Sequence, residues 1–211
     1  GRGGLGNSHF KSSTNQSPRK FTYGEDFEEK WLWLSLKLFA DVGIIGKPNA
    51  GKSTLLSKIS GAQPKIADYP FTTMHPILGV LKRFDQEIIM ADIPGLIEGA
   101  HEGKGLGDKF LAHIERCKIL LHIIDCSEKN PIDSYNAIRN EIVKYGKNLI
   151  EKKELIALSK SDLVSDEKKE LSEIVEKKTG KKPFIFSNIL NDGIEDLVTA
   201  LFEQCLNNND Q

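Results

Sequence analysis

An eight-residue stretch carries the clearest chemical signal in the sequence. Residues 46–53 read GKPNAGKS, after the apolar run of residues 42–45 and before a segment of helical spacing, residues 54–59. A glycine-rich loop between a strand and a helix presents backbone N–H groups and the positive end of a helix dipole to phosphate oxygens. We therefore predict a phosphate-binding loop. The alternative is an ordinary strand-to-helix turn that contains glycine.

The residues of this loop have separate predicted roles. Gly46 and Gly51 let the backbone approach the phosphates, Lys52 reaches the β and γ phosphates, and Ser53 holds a magnesium ion. Further nucleotide contacts are predicted from the rest of the loop and the start of the helix: Lys47, Pro48, Asn49, Ala50 and Thr54.

A second phosphate-side motif follows a later predicted strand. Residues 92–95 read DIPG, in which Asp92 is expected to reach magnesium through water and the N–H of Gly95 to meet the γ-phosphate. Ile93 and Pro94, between them, complete the predicted contacts.

The segment between the phosphate-loop helix and the next strand contains the only loop that is long enough to close over a γ-phosphate. Phe71, Thr72 and Thr73 lie in it and are predicted nucleotide contacts. One threonine hydroxyl should ligate magnesium in the triphosphate state and release it after hydrolysis, which is a switch mechanism. We predict Thr73 for this role, with Thr72 as the alternative.

Residues 159–162, SKSD, end another predicted strand and resemble the N/T-K-x-D motif that reads guanine in GTPases. Asp162 can accept from the ring N–H and the exocyclic amine of guanine, and Lys160 can lay its stem over the base. Ser159 is shorter than the usual Asn or Thr, and Ser161 completes the motif. The alternative is a solvated turn at a strand end.

The last predicted strand ends in Ser187, Asn188 and Ile189, where this fold places an S-A-x sequence whose backbone N–H groups meet guanine O6. Because that contact comes from the backbone, Asn188 in place of alanine need not abolish it. The alternative is an ordinary strand end.

Strands and helices that alternate along the chain must position these loops. Strands are predicted at residues 42–46, 76–84, 87–92, 118–125, 154–159 and 183–187, with Asp85 and Gln86 forming a hairpin turn. Helices are predicted at residues 52–60, 108–117, 133–150, 166–178 and 192–206. This alternation favours an α/β fold with a doubly wound, mostly parallel six-stranded sheet.

Composition excludes several classes of protein. Apolar residues make up 39% of the chain and charged residues 28%, and the net charge of −1 argues against a uniformly basic nucleic-acid-binding module. We see no membrane-length apolar run and no secretory signal. The three cysteines lack metal-ligand spacing, so we predict buried, reduced thiols and a cytoplasmic protein.

The N-terminal segment differs from the rest of the chain because it is rich in glycine and small polar residues. It predicts either disorder or part of a domain whose other half is absent. Residues 31–38 alternate in polarity and predict one strand. We place boundaries at residues 1–40, 41–206 and a polar tail, 207–211.

The chain resembles the Obg family of GTPases. The resemblance rests on GRGGLGN and FKSSTNQSPRK near the N-terminus, GKPNAGKSTLLS, ADYPFTT, DIPGLIEGAHEGKGLG and FLAHIERCKILLHIID. It implies a P-loop NTPase G domain preceded by the C-terminal remnant of the glycine-rich β domain called the Obg domain. It also implies GTP and GDP as ligands, Mg²⁺ as cofactor, and roles in large ribosomal subunit assembly and in responses to ppGpp.

Slow hydrolysis is expected from Leu96, which follows Gly95 where Ras-like GTPases place a water-orienting glutamine. Lys52, Thr73, Gly95 and Asn49 form the predicted catalytic set. Asn49 either helps to coordinate a potassium ion that bridges the phosphates or only supports the loop.

Two functions compete. The first is a slow GTPase that acts as a switch in ribosome assembly; the second is a guanine-nucleotide or ppGpp binding module in which hydrolysis is incidental. An ATP-dependent kinase or ATPase is a distant third, because Asp162 disfavours adenine. Monomer is the default oligomeric state.

Overall fold

The computed structural model describes residues 1–32, 40–61, 65–66, 77–93, 115–145, 151–164 and 167–206. The chain forms two compact units, Gly1–Leu36 and Lys37–Gln211.

Hydrogen bonds between distant backbone segments organise the smaller unit. Its one regular element among residues 1–32 is a single turn of 3₁₀ helix, Asn7–Phe10. Thr22 N–H donates to Leu5 O at 3.0 Å, and Glu25 N–H donates to Arg2 O at 2.9 Å. Of the predicted strand at residues 31–38, the two described residues are exposed and lie outside any strand, and the rest lies outside the described residues.

In the part of the chain that the structure describes, a seven-stranded sheet forms the centre of the larger unit. In spatial order β2-β3-β4-β1-β5-β6-β7, all pairs from β4 to β7 are parallel, whereas β2–β3 and β3–β4 are antiparallel. The strands are β1 (Ala40–Ile45), β2 (Lys65–Ile66), β3 (Ile77–Arg83), β4 (Gln86–Asp92), β5 (Cys117–Asp125), β6 (Lys153–Ser159) and β7 (Phe184–Ile185).

The predicted α/β class is therefore confirmed, and all six predicted strands are present. The additional strand is β2, two residues long, which pairs with β3 at the edge of the sheet. It lies between the predicted helix at residues 52–60 and the predicted strand at residues 76–84, where no strand was predicted.

Among the described residues, four helices cover both faces of the sheet: α1 (Lys52–Ile59), α2 (Pro131–Tyr145), α3 (Lys168–Thr179) and α4 (Ile194–Leu206). Helices α1 and α4 pack on one face through buried side chains such as Leu55 and Leu201. Helix α2 packs on the other face through Ile138 and Ile142, and α3 adds Val175 near the edge. Because β1 and β5 are covered on both sides, they are nearly continuous apolar runs. Most of the predicted helix at residues 108–117 lies outside the described residues.

The hairpin between β3 and β4 differs from the prediction by one residue. Its turn is Phe84–Asp85, because Gln86 already pairs with Arg83 in the ladder. This register puts Leu81 opposite Ile88, and both are buried. A one-residue slip would turn the apolar side chains to the other face, so burial outweighs the turn preference of the Asp85-Gln86 pair.

A charged cluster is buried near the start of β6, away from the strand ends that carry the predicted motifs. The Glu154 carboxylate lies 3.0 Å from His122 Nδ1, 3.2 Å from Lys181 Nζ and 3.7 Å from an Arg139 nitrogen. Burial alone would raise the pKa of Glu154, but these partners outweigh it and hold that pKa at about 2. Burial lowers the pKa of His122, so neutral His122 donates its Nδ1–H to Glu154.

The cysteines are buried free thiols, as predicted: Cys117, Cys126 and Cys205. Burial raises the pKa of Cys117 and Cys126 to about 12 and that of Cys205 to about 11. No helix in the described part of the chain is long and apolar enough to span a bilayer.

Candidate functional site

The predicted phosphate and base motifs converge at one edge of the sheet. Residues 46–53 follow β1, Asp92 ends β4, Ser159 ends β6, and Ser187 and Asn188 follow β7. The carboxyl ends of parallel strands share an edge, and this is where open α/β sheets bind ligands.

Glycines shape the phosphate loop at the two points where a side chain would not fit. Gly46 has φ +153°, and a Cβ there would lie 2.5 Å from Ile123 O. Gly51 has φ +89° and is the residue before α1. Between them Asn49 also has a positive φ, +62°, and with Pro48 it is exposed at the tip of the loop.

Lys52 folds its side chain back over the loop. Its ammonium donates to Gly46 O at 2.9 Å and to Lys47 O at 2.8 Å. Burial lowers the pKa of Lys52, and the nearby charge of Asp92 opposes that shift. The loop therefore holds a partly buried cation among its own carbonyl groups.

Ser53 and Asp92 form the part of the site that fits a magnesium ion. Ser53 Oγ donates to Asp92 Oδ2 at 2.6 Å, which connects the first turn of α1 to the end of β4. Asp92 Oδ1 is buried and has no hydrogen-bond partner among the described residues. A carboxylate with an unsatisfied oxygen beside a hydroxyl group is a suitable ligand set for a hard divalent cation. Ile93 N–H donates to Ile44 O at 3.2 Å and fixes the strand end.

Several predicted site residues lie outside the described residues: Phe71, Thr72, Thr73, Pro94 and Gly95, and with them Leu96. Their roles stay predictions.

Ser159 and Lys160 place the predicted base motif against the phosphate loop. Ser159 is fully buried, and its Oγ donates to Ala50 O at 2.7 Å, with Ile124 O at 3.2 Å. Lys160 has φ +56°, and its ammonium lies 2.5 Å from Asp125 Oδ2. Ser159 thus reaches the phosphate loop even though its side chain is short.

Asp162 is half-buried and held by a side chain from the other base loop. Ser187 Oγ donates to Asp162 Oδ1 at 2.5 Å, and Ser187 Oγ accepts from Ile189 N–H at 3.2 Å. Ser187 N–H in turn donates to Asp192 O at 3.0 Å. Among the three predicted backbone donors, only Asn188 N–H is not engaged by a described residue.

Two acidic residues at the site were not predicted. Asp125 ends β5 and pairs with Lys160, and Glu128 Oε2 lies 3.1 Å from Lys47 Nζ. Burial opposes ionisation of Asp125, but hydrogen bonds from Lys160 and Ser127 outweigh it and hold the pKa of Asp125 below its ordinary value. A carboxylate directly after the buried run of residues 119–124 was the available signal for Asp125.

Solved structures with the same fold include G domains of FeoB proteins. The G domain of the T. maritima FeoB iron transporter matches with a TM-score of 0.60 at 21% identity, over 77% of this chain and 96% of that one. The cytosolic domain of L. pneumophila FeoB gives 0.60 at 18% identity, over 77% and 62%. The S. thermophilus NFeoB E67A mutant bound to GDP gives 0.57 at 20% identity, over 75% and 59%. The chain thus spans about three fifths of these two longer structures, and at such identities the similarity establishes the fold.

Two family models match the sequence. The model of the 50S ribosome-binding GTPase family matches residues 41–161, more than half of the chain. The GTP1/OBG model matches residues 1–38. Domains of the first family generally hydrolyse GTP. The chain therefore belongs to the 50S ribosome-binding GTPase family, as an Obg-type GTPase with a GTP-binding G domain.

Proposed function

We propose that this protein is a magnesium-dependent GTPase that hydrolyses GTP slowly and acts as a switch in assembly of the large ribosomal subunit. The observation that carries the proposal is the hydrogen bond from Ser53 to Asp92 Oδ2, next to the loop that holds Lys52. The other carboxylate oxygen, Asp92 Oδ1, is buried and has no hydrogen-bond partner in the described part of the chain. Such an arrangement favours a divalent cation bound between the protein and nucleotide phosphates.

Guanine selectivity is assigned to Asp162. Its carboxylate accepts a hydrogen bond from Ser187. It can also accept from the ring N–H and the exocyclic amine of guanine, a pair of donors that adenine lacks. Lys160, paired with Asp125, is assigned to the face of the base, and Asn188 N–H to guanine O6. Ser159 supports the loop rather than the base, because its hydroxyl donates to Ala50 O.

The slow rate follows from Leu96, since leucine can neither donate a hydrogen bond to the attacking water nor accept one from it. Another element must then complete the site. The large ribosomal subunit is the proposed partner because the family model that covers the G domain describes ribosome binding. A cytoplasmic monomer is the proposed state.

Potassium is the proposed activating ion. Asn49 stands at the tip of the phosphate loop with φ +62°, and the residue is exposed there. We expect GTP turnover to be faster in potassium than in sodium, with Asn49→Ala removing the difference. Equal rates in the two salts would assign Asn49 to loop support.

The alternative function is a guanine-nucleotide or ppGpp binding module with incidental hydrolysis, which Leu96 favours. Turnover measured with and without large ribosomal subunits separates the two functions. Stimulated turnover favours the switch, whereas tight binding of GDP or ppGpp without stimulation favours the module.

The decisive experiment is a titration of the chain with labelled GDP in magnesium, competed with GTP, ATP and ppGpp. We expect GTP and GDP to compete and ATP not to. Asp162→Asn should weaken GDP binding on the order of 100-fold, because the amide keeps only one acceptor, which is no longer charged, and turns an N–H group toward a guanine donor. Asp85→Asn, in the exposed hairpin turn, is the matched control. Equal competition by ATP, or an Asp162→Asn variant that binds like the wild type, would refute the guanine site.

A further inference from the structure

The Asn188 side chain connects the second base loop to the phosphate loop. Asn188 Nδ2 donates to Gly51 O at 3.1 Å, although the two residues are 137 positions apart. Asn188 stands at the position where the S-A-x pattern has alanine, which could not make this bond. The amide therefore adds a contact that the pattern itself does not supply.

Ser159 makes the matching contact from the first base loop. Its Oγ donates to Ala50 O, so two consecutive carbonyl groups of the phosphate loop accept from side chains that follow β6 and β7. Ser159 has one hydroxyl proton, which it shares between Ala50 O and Ile124 O. Ser159 therefore supplies at most one hydrogen bond to the loop.

The acceptor of the Asn188 bond lies where the phosphate site is built. Gly51 O also accepts from Leu55 N–H at 2.9 Å, the first hydrogen bond of α1. Fixing this carbonyl fixes the turn that points the free N–H groups of the helix toward a phosphate. The Asn188 side chain approaches Gly51 so closely that a Cβ on Gly51 would lie 3.0 Å from Asn188 Nδ2.

The environment of the Asn188 amide oxygen indicates that the bond to Gly51 determines the orientation of the side chain. Asn188 Oδ1 is buried and has no hydrogen-bond partner among the described residues. Leaving a buried acceptor unpaired is costly. A small apolar side chain would avoid that cost, so the amide must be useful through its donor.

We propose that Asn188 is a positioning residue that holds the phosphate loop against the base-recognition loops and so slows nucleotide release. The two departures from the usual guanine motifs then compensate for each other: position 159 has serine where the pattern has asparagine or threonine, and position 188 has asparagine where the pattern has alanine. The inference rests on the proposed function, since it assumes a guanine nucleotide in this site.

The test is the dissociation rate of labelled GDP from the full chain, measured for Asn188→Ala and for Asn188→Asp. The second variant keeps the size of the side chain and removes the donor. We expect Asn188→Ala to release GDP about three- to tenfold faster, as the loss of one neutral hydrogen bond predicts. Asn188→Asp should release GDP at least as fast, because its carboxylate would also repel the carbonyl oxygen of Gly51. Leu190→Ala, exposed in the same turn, is the control and should release GDP at the wild-type rate.

Two further readouts separate positioning from a general loss of structure. The ratio of GDP to IDP affinity reports contact with the exocyclic amine at Asp162 and should stay at the wild-type value. The double variant with Ser159→Asn and Asn188→Ala again has an asparagine that faces the loop. Its release rate should return to within about twofold of wild type, a smaller change than the loss of one hydrogen bond produces.

The inference is wrong if both Asn188 variants release GDP at the wild-type rate, or if the double variant is no slower than Asn188→Ala. A GDP to IDP ratio that changes as much as the rate would assign Asn188 to base recognition instead. Failure of the wild-type chain to bind GDP would refute the proposed function itself.

Discussion

Lys160 Nζ lies 2.5 Å from Asp125 Oδ2, so a carboxylate at the end of β5 holds the lysine that we assign to the face of the base. The pairing follows from the sheet, since Asp125 and Ser159 are register partners in the parallel β5–β6 ladder. The base site therefore depends on three strand ends, those of β5, β6 and β7.

Removing the Asp125 carboxylate should weaken the base site. Asp125→Asn leaves Lys160 without its charged partner, and we expect GDP affinity to fall about three- to tenfold. The pKa of Asp125 is held below its ordinary value of 3.8, so the stabilisation is present above that value and is lost as the pH falls through the lowered pKa. Melting curves of the wild type and the variant should therefore differ at neutral pH and converge at pH values below 3.8. A difference that persists unchanged in acid would contradict this role.

The magnesium assignment predicts a specific change in metal dependence. Asp92→Asn removes a charge that we expect to act on the ion through water, so the Mg²⁺ concentration needed for half-maximal binding of a GTP analogue should rise about 10- to 100-fold. Ser53→Ala should act in the same direction. Ser57→Ala, exposed one turn further along α1, serves as control. Unchanged magnesium titrations for Asp92→Asn and Ser53→Ala would remove these residues from the metal site.

Two glycines with positive φ allow the effect of backbone strain on stability to be separated from its effect on GDP binding. Gly51 has φ +89°, and Gly180, after α3, has φ +69° with nothing near its missing Cβ. Alanine at either position should cost about 1–2 kcal/mol in the free energy of unfolding. Only Gly51→Ala should also weaken GDP binding, by about tenfold, because relaxing that strain moves the phosphate loop. Equal GDP affinity in the two variants would show that the loop tolerates the change.

The buried cluster around Glu154 should govern stability in acid. Glu154→Gln leaves Lys181 and Arg139 without their carboxylate, and we expect a loss of about 3 kcal/mol in the free energy of unfolding at pH 7. Because the pKa of Glu154 is lowered to about 2, its stabilisation is complete above the ordinary value of 4.5 and is lost as the pH falls toward 2. Urea unfolding at several pH values checks this. A constant difference between wild type and variant down to pH 2 would contradict it.

The parts of the site that depend on consecutive residues could be predicted from the sequence. The phosphate loop is one such part, because its glycines, lysine and serine act through a local strand-loop-helix geometry. Asp125, Glu128 and the Asn188 side chain were missed as contacts because their partners are far away in the sequence. The hairpin turn was misplaced by one residue because a local turn preference gave way to the burial of Leu81 and Ile88.

Strand β7 is only two residues long and lies at the edge of the sheet, whereas β1 is flanked by β4 and β5. The phosphate side of the site therefore follows an inner strand of the sheet, and the O6 side follows a short edge strand. A bound nucleotide joins these two sides, and so it should protect the amides of residues 184–189 from hydrogen exchange much more than those of β1. Ligand binding would then complete the folding of the β7 edge strand.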